Sequence, residues 1–150
     1  MTDKNMKEYA KRIETAFSKI MKKLGPEMSK LAEGLTPPQF FVLKLLQTNG
    51  RTVTEIAELM NVQPSAITAI LDRMYRNGFI IRERNETDRR VVLVQITEKG
   101  KEAFVKSQQK RQDVMLHFLS YLEKEDLDAL LAIYEKMAKI VERHSNKTSS

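Results

Sequence analysis

The sequence predicts a mainly α-helical protein with one small β-hairpin. Apolar residues recur at spacings of three and four along most of the chain, the pattern of one buried face on an α-helix. Only two short runs, from Phe79 to Arg84 and from Val91 to Ile96, are rich in the branched side chains typical of strands. With 150 residues, the chain is long enough for one domain but not for two independent cores.

The composition favours an anionic partner and excludes several kinds of site. The formal charge of +6 comes from 26 basic and 20 acidic residues, a moderate excess, so the placement of the arginines matters more than their number. The lack of cysteine excludes disulfides and thiol redox sensing. His117 and His144 are the only histidines and lie far apart, so we expect no metal and no cofactor. No apolar run approaches the roughly 20 residues of a membrane span, and we expect a cytoplasmic protein.

The N-terminal region is predicted to form a long helix with one apolar stripe. The residues of this stripe, between Lys4 and Leu31, are Met6, Tyr9, Ala10, Ile13, Phe17, Ile20, Met21, Leu24, Met28 and Leu31. Because proline removes a backbone donor and clashes with the preceding turn, Gly25-Pro26 predicts a kink, or a helix that ends and restarts.

Two capping boxes mark helix starts in the middle of the chain. They are Thr36-Pro37-Pro38-Gln39 and Thr52-Val53-Thr54-Glu55, in which the threonine oxygen accepts from an amide that has no partner within the helix. The first predicts a helix that runs to about Asn49 and is ended by Gly50. The second predicts a short helix followed by a turn at Asn61-Val62.

A third helix is predicted to begin at Pro64, behind Gln63, and to run to Asn77. Its apolar face consists of Ile67, Ile70, Leu71 and Met74. A short helix, a tight turn and a second helix with an apolar back are the plan of a helix-turn-helix, whose second helix enters the major groove of DNA. The opposite face carries small, hydroxyl and charged residues suited to base edges and phosphates: Ser65, Thr68, Ala69, Asp72, Arg73 and Arg76.

The predicted hairpin has a charged tip, Asn85 to Arg90. Since it follows directly on a helix-turn-helix, we interpret it as a wing, with Arg89 or Arg90 placed to enter the narrow minor groove. Asp88 is predicted to hold one of these arginines in an extended conformation.

Two further amphipathic helices are predicted between Glu98 and His144. Their apolar residues either pack within the chain or meet a second copy, and long helices at both ends of a compact middle favour the homodimer. The predicted dimerisation residues are Tyr9, Ile13, Phe118, Leu119, Leu130, Tyr134, Met137 and Val141. The predicted regions are a dimerisation helix (1–34), a winged helix-turn-helix lobe (35–100), C-terminal dimerisation helices (101–145) and a disordered tail (146–150), in one intertwined domain per chain.

The chain resembles the MarR family of bacterial transcription regulators. The residues that carry the resemblance are Leu35-Thr36-Pro37-Pro38-Gln39-Phe40 with Val42-Leu43, then Leu71-Asp72-Arg73-Met74, and above all Asp88-Arg89-Arg90 followed by Ile96-Thr97-Glu98-Lys99-Gly100. The resemblance implies a homodimer built from the terminal helices, a pseudo-palindromic operator, and usually repression that a small ligand relieves.

The resemblance also implies which residues bind DNA. It assigns major-groove contacts to Gln63, Ser65, Thr68, Ala69 and Arg73 and the minor-groove contact to Arg90. Together with the residues predicted from the helix face and the wing, the full set is Thr52, Thr54, Gln63, Pro64, Ser65, Thr68, Ala69, Arg73, Arg76, Asp88, Arg89 and Arg90. Thr52 and Thr54 are expected to meet a phosphate, and Gln63 is able to bind adenine bidentately.

The sequence indicates the effector-binding residues less clearly than the DNA-binding residues. By resemblance, a ligand between the dimer helices and the DNA-binding lobe would meet aromatic and methionine residues suited to an apolar or phenolic molecule: Phe17, Met21, Phe40, Phe41 and Met115. Packing in the core explains the same residues equally well.

Two other classes of function are alternatives to DNA binding. An enzyme is not expected, because the chain has no glycine-rich phosphate loop, no metal-type histidine cluster and no serine elbow. A winged helix that serves only as a protein-interaction or scaffold module is the stronger alternative. The adjacent arginines at the tip of the wing count against it, since a protein-binding wing does not need them.

Overall fold

The computed structural model describes residues 2–30 and 34–145. The elements in chain order are α1 (Asp3–Ser29), α2 (Pro37–Leu45), α3 (Val53–Met60), α4 (Pro64–Arg76), β1 (Ile80–Arg84), β2 (Val92–Ile96), α5 (Glu98–Leu119) and α6 (Lys124–Ser145). The predicted class, mainly α with a small β wing, is confirmed. The disordered tail predicted for 146–150 lies outside the described residues, as does Leu31 of the N-terminal stripe.

The long first helix forms as predicted, but it does not restart at the proline. α1 is continuous through Gly25 and Pro26 and ends at Ser29, so the restart alternative is wrong. Proline removes one backbone donor from the helix, and α1 ends three residues after it. None of the residues of α1 is buried.

The core of the middle region is built from the apolar faces of α2, α3 and α4, the hairpin and the start of α5. Its buried residues are Leu35, Phe40, Val42, Leu43, Leu46, Ile56, Ala57, Ile67, Leu71, Met74, Phe79, Ile80, Val94, Ala103 and Phe104. Both predicted capping boxes are present and start α2 and α3. The predicted apolar face of α4 is confirmed, with three of its four residues buried and Ile70 half-buried.

The second helix ends earlier than predicted. α2 stops at Leu45 rather than near Asn49, because the chain turns back so that Arg51 pairs with Val94 of β2. The Arg51 side chain also donates its Nε to the carbonyl of Leu45 at 2.9 Å. This bond satisfies one of the free carbonyls at the end of the helix, a role that no sequence pattern indicated.

The two strands form one antiparallel hairpin in which Ile80 pairs with Ile96 and Arg84 with Val92. Each strand begins one residue later than predicted. The amide of Phe79 donates to the carbonyl of Met74 at 3.0 Å and closes the end of α4, so it does not enter the ladder. The amide of Val91 donates to the carbonyl of Asp88 at 3.0 Å and closes the hairpin turn instead.

The chain forms two compact units, Met1–Gln112 and Asp113–Ser150, which divide within α5. In the second unit the residues of α6 are exposed except for Leu127, which is half-buried; this holds for all of its described side chains. Nowhere in residues 2–30 and 34–145 does a helix combine the length and the apolar composition of a membrane span.

Candidate nucleic-acid interface

The segment from α3 to α4 forms a helix-turn-helix. α3 ends at Asn61, whose left-handed backbone (φ 54°) turns the chain, and the amide of Val62 donates to the carbonyl of Ala57 at 3.0 Å. Pro64 then begins α4. Because Ile67 and its apolar neighbours anchor one face of α4 in the core, the opposite face remains in solvent.

The residues predicted to meet the major groove all lie on this solvent side. Those on α4 and its N-cap are Gln63, Pro64, Ser65, Thr68, Ala69, Arg73 and Arg76, and every one of them is exposed. The Gln63 side chain forms no capping hydrogen bond, so its amide remains available to a base. The Thr68 hydroxyl donates to the carbonyl of Pro64 at 2.9 Å, which leaves its oxygen free to accept.

The two threonines predicted to meet a phosphate differ in their surroundings. The Thr52 hydroxyl accepts from the amide of Glu55 at 3.2 Å, and the Glu55 carboxylate accepts from the amide of Thr52 at 3.0 Å. A hydroxyl that accepts in a capping box still has a proton to donate, so Thr52 is able to cap α3 and bind a phosphate at once. Thr54 is exposed in the first turn of α3.

The tip of the wing orients Arg90. The Asp88 carboxylate accepts from the backbone amide of Arg90 at 3.1 Å and from its Nε at 3.2 Å. The predicted pairing of Asp88 with an arginine is therefore present. The Arg90 side chain is nevertheless 92% exposed, so its guanidinium is oriented without being covered.

Side chains also fix the backbone of the tip. The Asn85 side chain accepts from both the amide and the hydroxyl of Thr87, at 2.9 and 2.6 Å. The Arg84 guanidinium donates to the carbonyl of Arg89 at 2.8 Å, across the hairpin. Arg84 was not among the predicted site residues, because its partner is a backbone atom that no sequence pattern identifies.

A second contact that the sequence did not predict joins the wing to α4. Nη2 of Arg82, on β1, lies 3.0 Å from Oδ1 of Asp72, on α4. The guanidinium of Arg82 also lies 4.2 Å from the centroid of the Tyr75 ring. The Tyr75 hydroxyl is buried and has no hydrogen-bond partner among the described residues. The adjacent Tyr75 side chain, and after it the Asp72 carboxylate, raise the pKa of Arg82 above its usual value.

The residues after β2 lock the base of the wing to the end of α4. The Thr97 hydroxyl donates to the carbonyl of Gly78 at 2.6 Å and accepts from the amide of Gly100 at 3.0 Å. A Cβ at Gly100 would lie 2.2 Å from the carbonyl oxygen of Phe79, so only glycine fits at this position. The run Ile96 to Gly100 thus holds the wing in place.

Several arginines near this face have side chains without a partner among the described residues. In the part of the chain that the structure describes, the side chains of Arg73, Arg76 and Arg89 form no hydrogen bond or ion pair. Guanidinium groups that are charged and exposed are the usual contacts to phosphates. Together with Arg90, they give α4 and the wing a positive surface.

Comparison with known proteins agrees with this architecture. Residues 35–92 match the model of the MarR family. The chain is 36% identical to the HTH-type transcriptional repressor MdtR of Bacillus subtilis over 133 residues, which cover 87% of this chain and 86% of that protein. The chain belongs to the MarR family.

Solved structures support the membership in the MarR family. The YusO protein of Bacillus subtilis is 34% identical, with a TM-score of 0.76 over 89% of this chain and 96% of that one. A MepR-like protein solved with pseudoligands is 32% identical, with a TM-score of 0.57 over 89% and 94% of the two chains. The chain is therefore a DNA-binding transcriptional regulator of the MarR family, and its relatives are named as regulators rather than enzymes.

In this MarR-family chain, the predicted dimerisation residues lie on open surfaces. Exposed ones are Tyr9, Ile13, Leu130, Tyr134, Met137 and Val141, and half-buried ones are Phe118 and Leu119. Among the predicted effector residues, Phe40 is buried and stacks on Phe104 with centroids 5.1 Å apart. Phe41 is exposed, and the Arg111 guanidinium lies 5.8 Å from its ring. The other three, Phe17, Met21 and Met115, are exposed.

Proposed function

We propose that the chain acts as a homodimer that represses transcription from a pseudo-palindromic operator until a small effector releases it. α4 of each protomer enters a major groove by its N-terminal residues, from Gln63 to Arg73, while Arg90 enters the flanking minor groove. The observation that carries the proposal is the exposed polar face of α4 beside a wing tip at which Asp88 orients an exposed Arg90. The protein would act in the cytoplasm, because that is where it meets operator DNA.

The homodimer is supported by apolar surface that the single chain leaves open. Exposed apolar residues follow α1, including Tyr9, Ile13 and Phe17, and a second set follows α6, including Tyr134 and Val141. Apolar patches that are larger than a few hundred Å² on a protein surface mark interaction sites. Two copies related by a two-fold axis would present two equal α4 helices to the DNA.

Repression and effector release are supported by two relatives. MdtR is named as a repressor, and the MepR-like protein was solved with pseudoligands. An apolar or phenolic effector suits the residues predicted to bind it, Phe17, Met21, Phe40, Phe41 and Met115, because aromatic and thioether groups bind such molecules well. An effector would weaken operator affinity if it binds more tightly to a conformation that cannot reach DNA. The size of this effect is set by the difference between its affinities for the two conformations.

Selection of bound duplexes from random DNA tests the proposal. The purified protein should enrich a pseudo-palindrome whose half-sites lie about 10 base pairs apart, centre to centre, because the two recognition helices must enter successive grooves. Enrichment of a single half-site would count against the homodimer. No enrichment would support the protein-interaction module instead.

The same selection with Gln63→Ala tests how the operator is read. A bidentate contact to adenine contributes about 1–3 kcal/mol of discrimination against the wrong base. The variant should therefore lose its preference at one symmetric position and keep the rest of the motif. An unchanged motif would show that Gln63 does not read a base and only precedes α4.

A further inference from the structure

Arg82 connects the two DNA-binding elements through side chains. It belongs to β1, at the base of the wing, yet its guanidinium lies against α4, between the Asp72 carboxylate (3.0 Å) and the Tyr75 ring (4.2 Å to the centroid). Asp72 and Tyr75 are three positions apart on α4 and so project from neighbouring points on the helix. A planar guanidinium that meets a carboxylate at its edge and a ring at its face has a defined orientation.

This contact is poorly suited to a purely stabilising role. The side chains of Arg82 and Asp72 are 55% and 53% exposed, and exposed ion pairs contribute little to stability because water screens them. The buried residues Ile80, Leu71 and Met74 already hold β1 and α4 in the common core. Arg82 therefore affects the orientation of β1 relative to α4 more than the stability of their packing.

Asp72 also carries the wrong charge for its location. It lies on α4 next to Arg73, which is proposed to contact DNA, and a carboxylate close to a phosphate is repelled by it. Pairing with Arg82 offsets this charge at the protein surface. The pair would thus reduce the repulsion between an acidic residue on the recognition helix and DNA.

We propose that Arg82 is a positioning residue that sets the angle of the wing relative to α4, so that the wing tip and the recognition helix reach their two grooves together. The proposal rests on the proposed sequence-specific binding. The competing role is that Arg82 breaks its ion pair with Asp72 on DNA binding and contacts a phosphate itself. The two roles differ in what they predict for random DNA and for salt.

The test compares Arg82→Ala with the wild type on the selected operator and on a random duplex, over a range of salt concentrations. Arg82→Ala should lower the operator affinity about fivefold to tenfold more than the affinity for random DNA, because the unpaired Asp72 carboxylate weakens binding to both duplexes while the wing angle matters only for the operator. Footprinting should lose protection in the flanking minor groove while the major-groove protection persists. Thermal unfolding of each variant, measured alongside, checks the fold.

Arg76→Ala is the matched control. Arg76 is a second exposed arginine one turn beyond Asp72 on α4, and its side chain has no hydrogen-bond partner among the described residues. It should weaken binding to both duplexes equally and lower the salt slope by about one, as a phosphate contact does. If Arg82→Ala behaves in the same way, Arg82 is a phosphate contact and the proposal is wrong.

The exchanged pair Asp72→Arg with Arg82→Asp separates positioning from loss of charge. It keeps the net charge and the possibility of an ion pair, so it should recover part of the ratio of operator to random affinity that each single variant loses. Arg82→Lys, which keeps the charge without the planar stack, should fall between wild type and Arg82→Ala. These two variants also decide the matter if Arg82→Ala does not fold.

Two failures remain distinguishable. A wild type that binds all duplexes equally overturns the proposed function and this inference with it. If the wild type prefers its operator and Arg82→Ala shows the same preference and the same footprint, the proposed function stands and only the role of Arg82 is wrong.

Discussion

Arg90 shows how one residue is both exposed and ordered. Its side chain extends into solvent at the tip of the wing, while Asp88 holds the Nε at 3.2 Å and the backbone amide at 3.1 Å. An arginine that enters the minor groove loses side-chain freedom when it binds. Because Asp88 has already restricted the rotamers of Arg90, less freedom remains to be lost.

We predict that Arg90→Ala lowers operator affinity and reduces the salt slope by about one, because it removes one contact to a charged groove. Arg89→Ala is the neighbouring control, since the Arg89 side chain is exposed but Asp88 does not hold it. It should cost less affinity. The measurement is a titration with operator DNA at several salt concentrations, and unchanged binding by a folded Arg90→Ala variant would refute the wing assignment.

At the scale of residues, the sequence predicts local pairs better than distant ones. Asp88 and Arg90 are two positions apart in a turn, so their pairing follows from chain geometry alone. Asp72 and Arg82 are ten positions apart and belong to different elements. Their contact depends on how β1 packs against α4, which no local pattern contains.

At the scale of elements, helix starts are predictable because their signal is local. Both boxes, at Thr36 and at Thr52, form the reciprocal hydrogen bonds that their spacing predicts. Helix ends are less predictable than helix starts, because they depend on contacts with distant residues. α2 stops at Leu45 because Arg51 must reach Val94, and that bridge joins residues more than forty positions apart in the sequence.

The two capping boxes provide a matched test of the phosphate contact proposed for Thr52. Replacement of a capping threonine by alanine costs about 1 kcal/mol of stability, so Thr36→Ala and Thr52→Ala should lower the free energy of unfolding by similar amounts in urea denaturation. Only Thr52 opens a helix of the helix-turn-helix. Thr52→Ala should therefore also lower the affinity for operator DNA.

The control for this comparison is Thr52→Ser, which keeps the hydroxyl and should restore both stability and affinity. Equal DNA affinity in Thr36→Ala and Thr52→Ala would show that Thr52 is a cap without a phosphate contact. The result would then leave Thr54, in the same turn and exposed, as the hydroxyl to examine.

At the scale of the whole molecule, the sequence predicts apolar faces but not what covers them. The stripe along α1 and the stripe along α6 follow from residue spacing, and the structure confirms both as helices. Whether an apolar face is covered by its own chain or by a second copy depends on tertiary packing, which spacing does not contain. In the structure, none of the residues of α1 is buried and the apolar residues of α6 stay exposed except for the half-buried Leu127.

We predict that a charge on the apolar face of α6 converts the proposed dimer to a monomer. Tyr134 is 57% exposed in the single chain, within a stripe that includes Leu130 and Val141. In a dimer that buries this stripe, Tyr134→Glu would place an unpaired carboxylate in an apolar interface, which is strongly unfavourable. Sedimentation equilibrium should then give the mass of one chain instead of two.

Lys139→Glu is the control, because it introduces the same carboxylate, with an even larger change in net charge, on the polar side of α6, where a dimer through the apolar stripe would leave it in water. It should remain dimeric. A monomeric Tyr134→Glu variant should also bind one half-site nearly as before and lose the palindrome preference, since the DNA-binding face of each protomer is intact while the link between the two is gone. If Tyr134→Glu stays dimeric, α6 does not form the interface, and Ile13→Glu on α1 becomes the decisive variant.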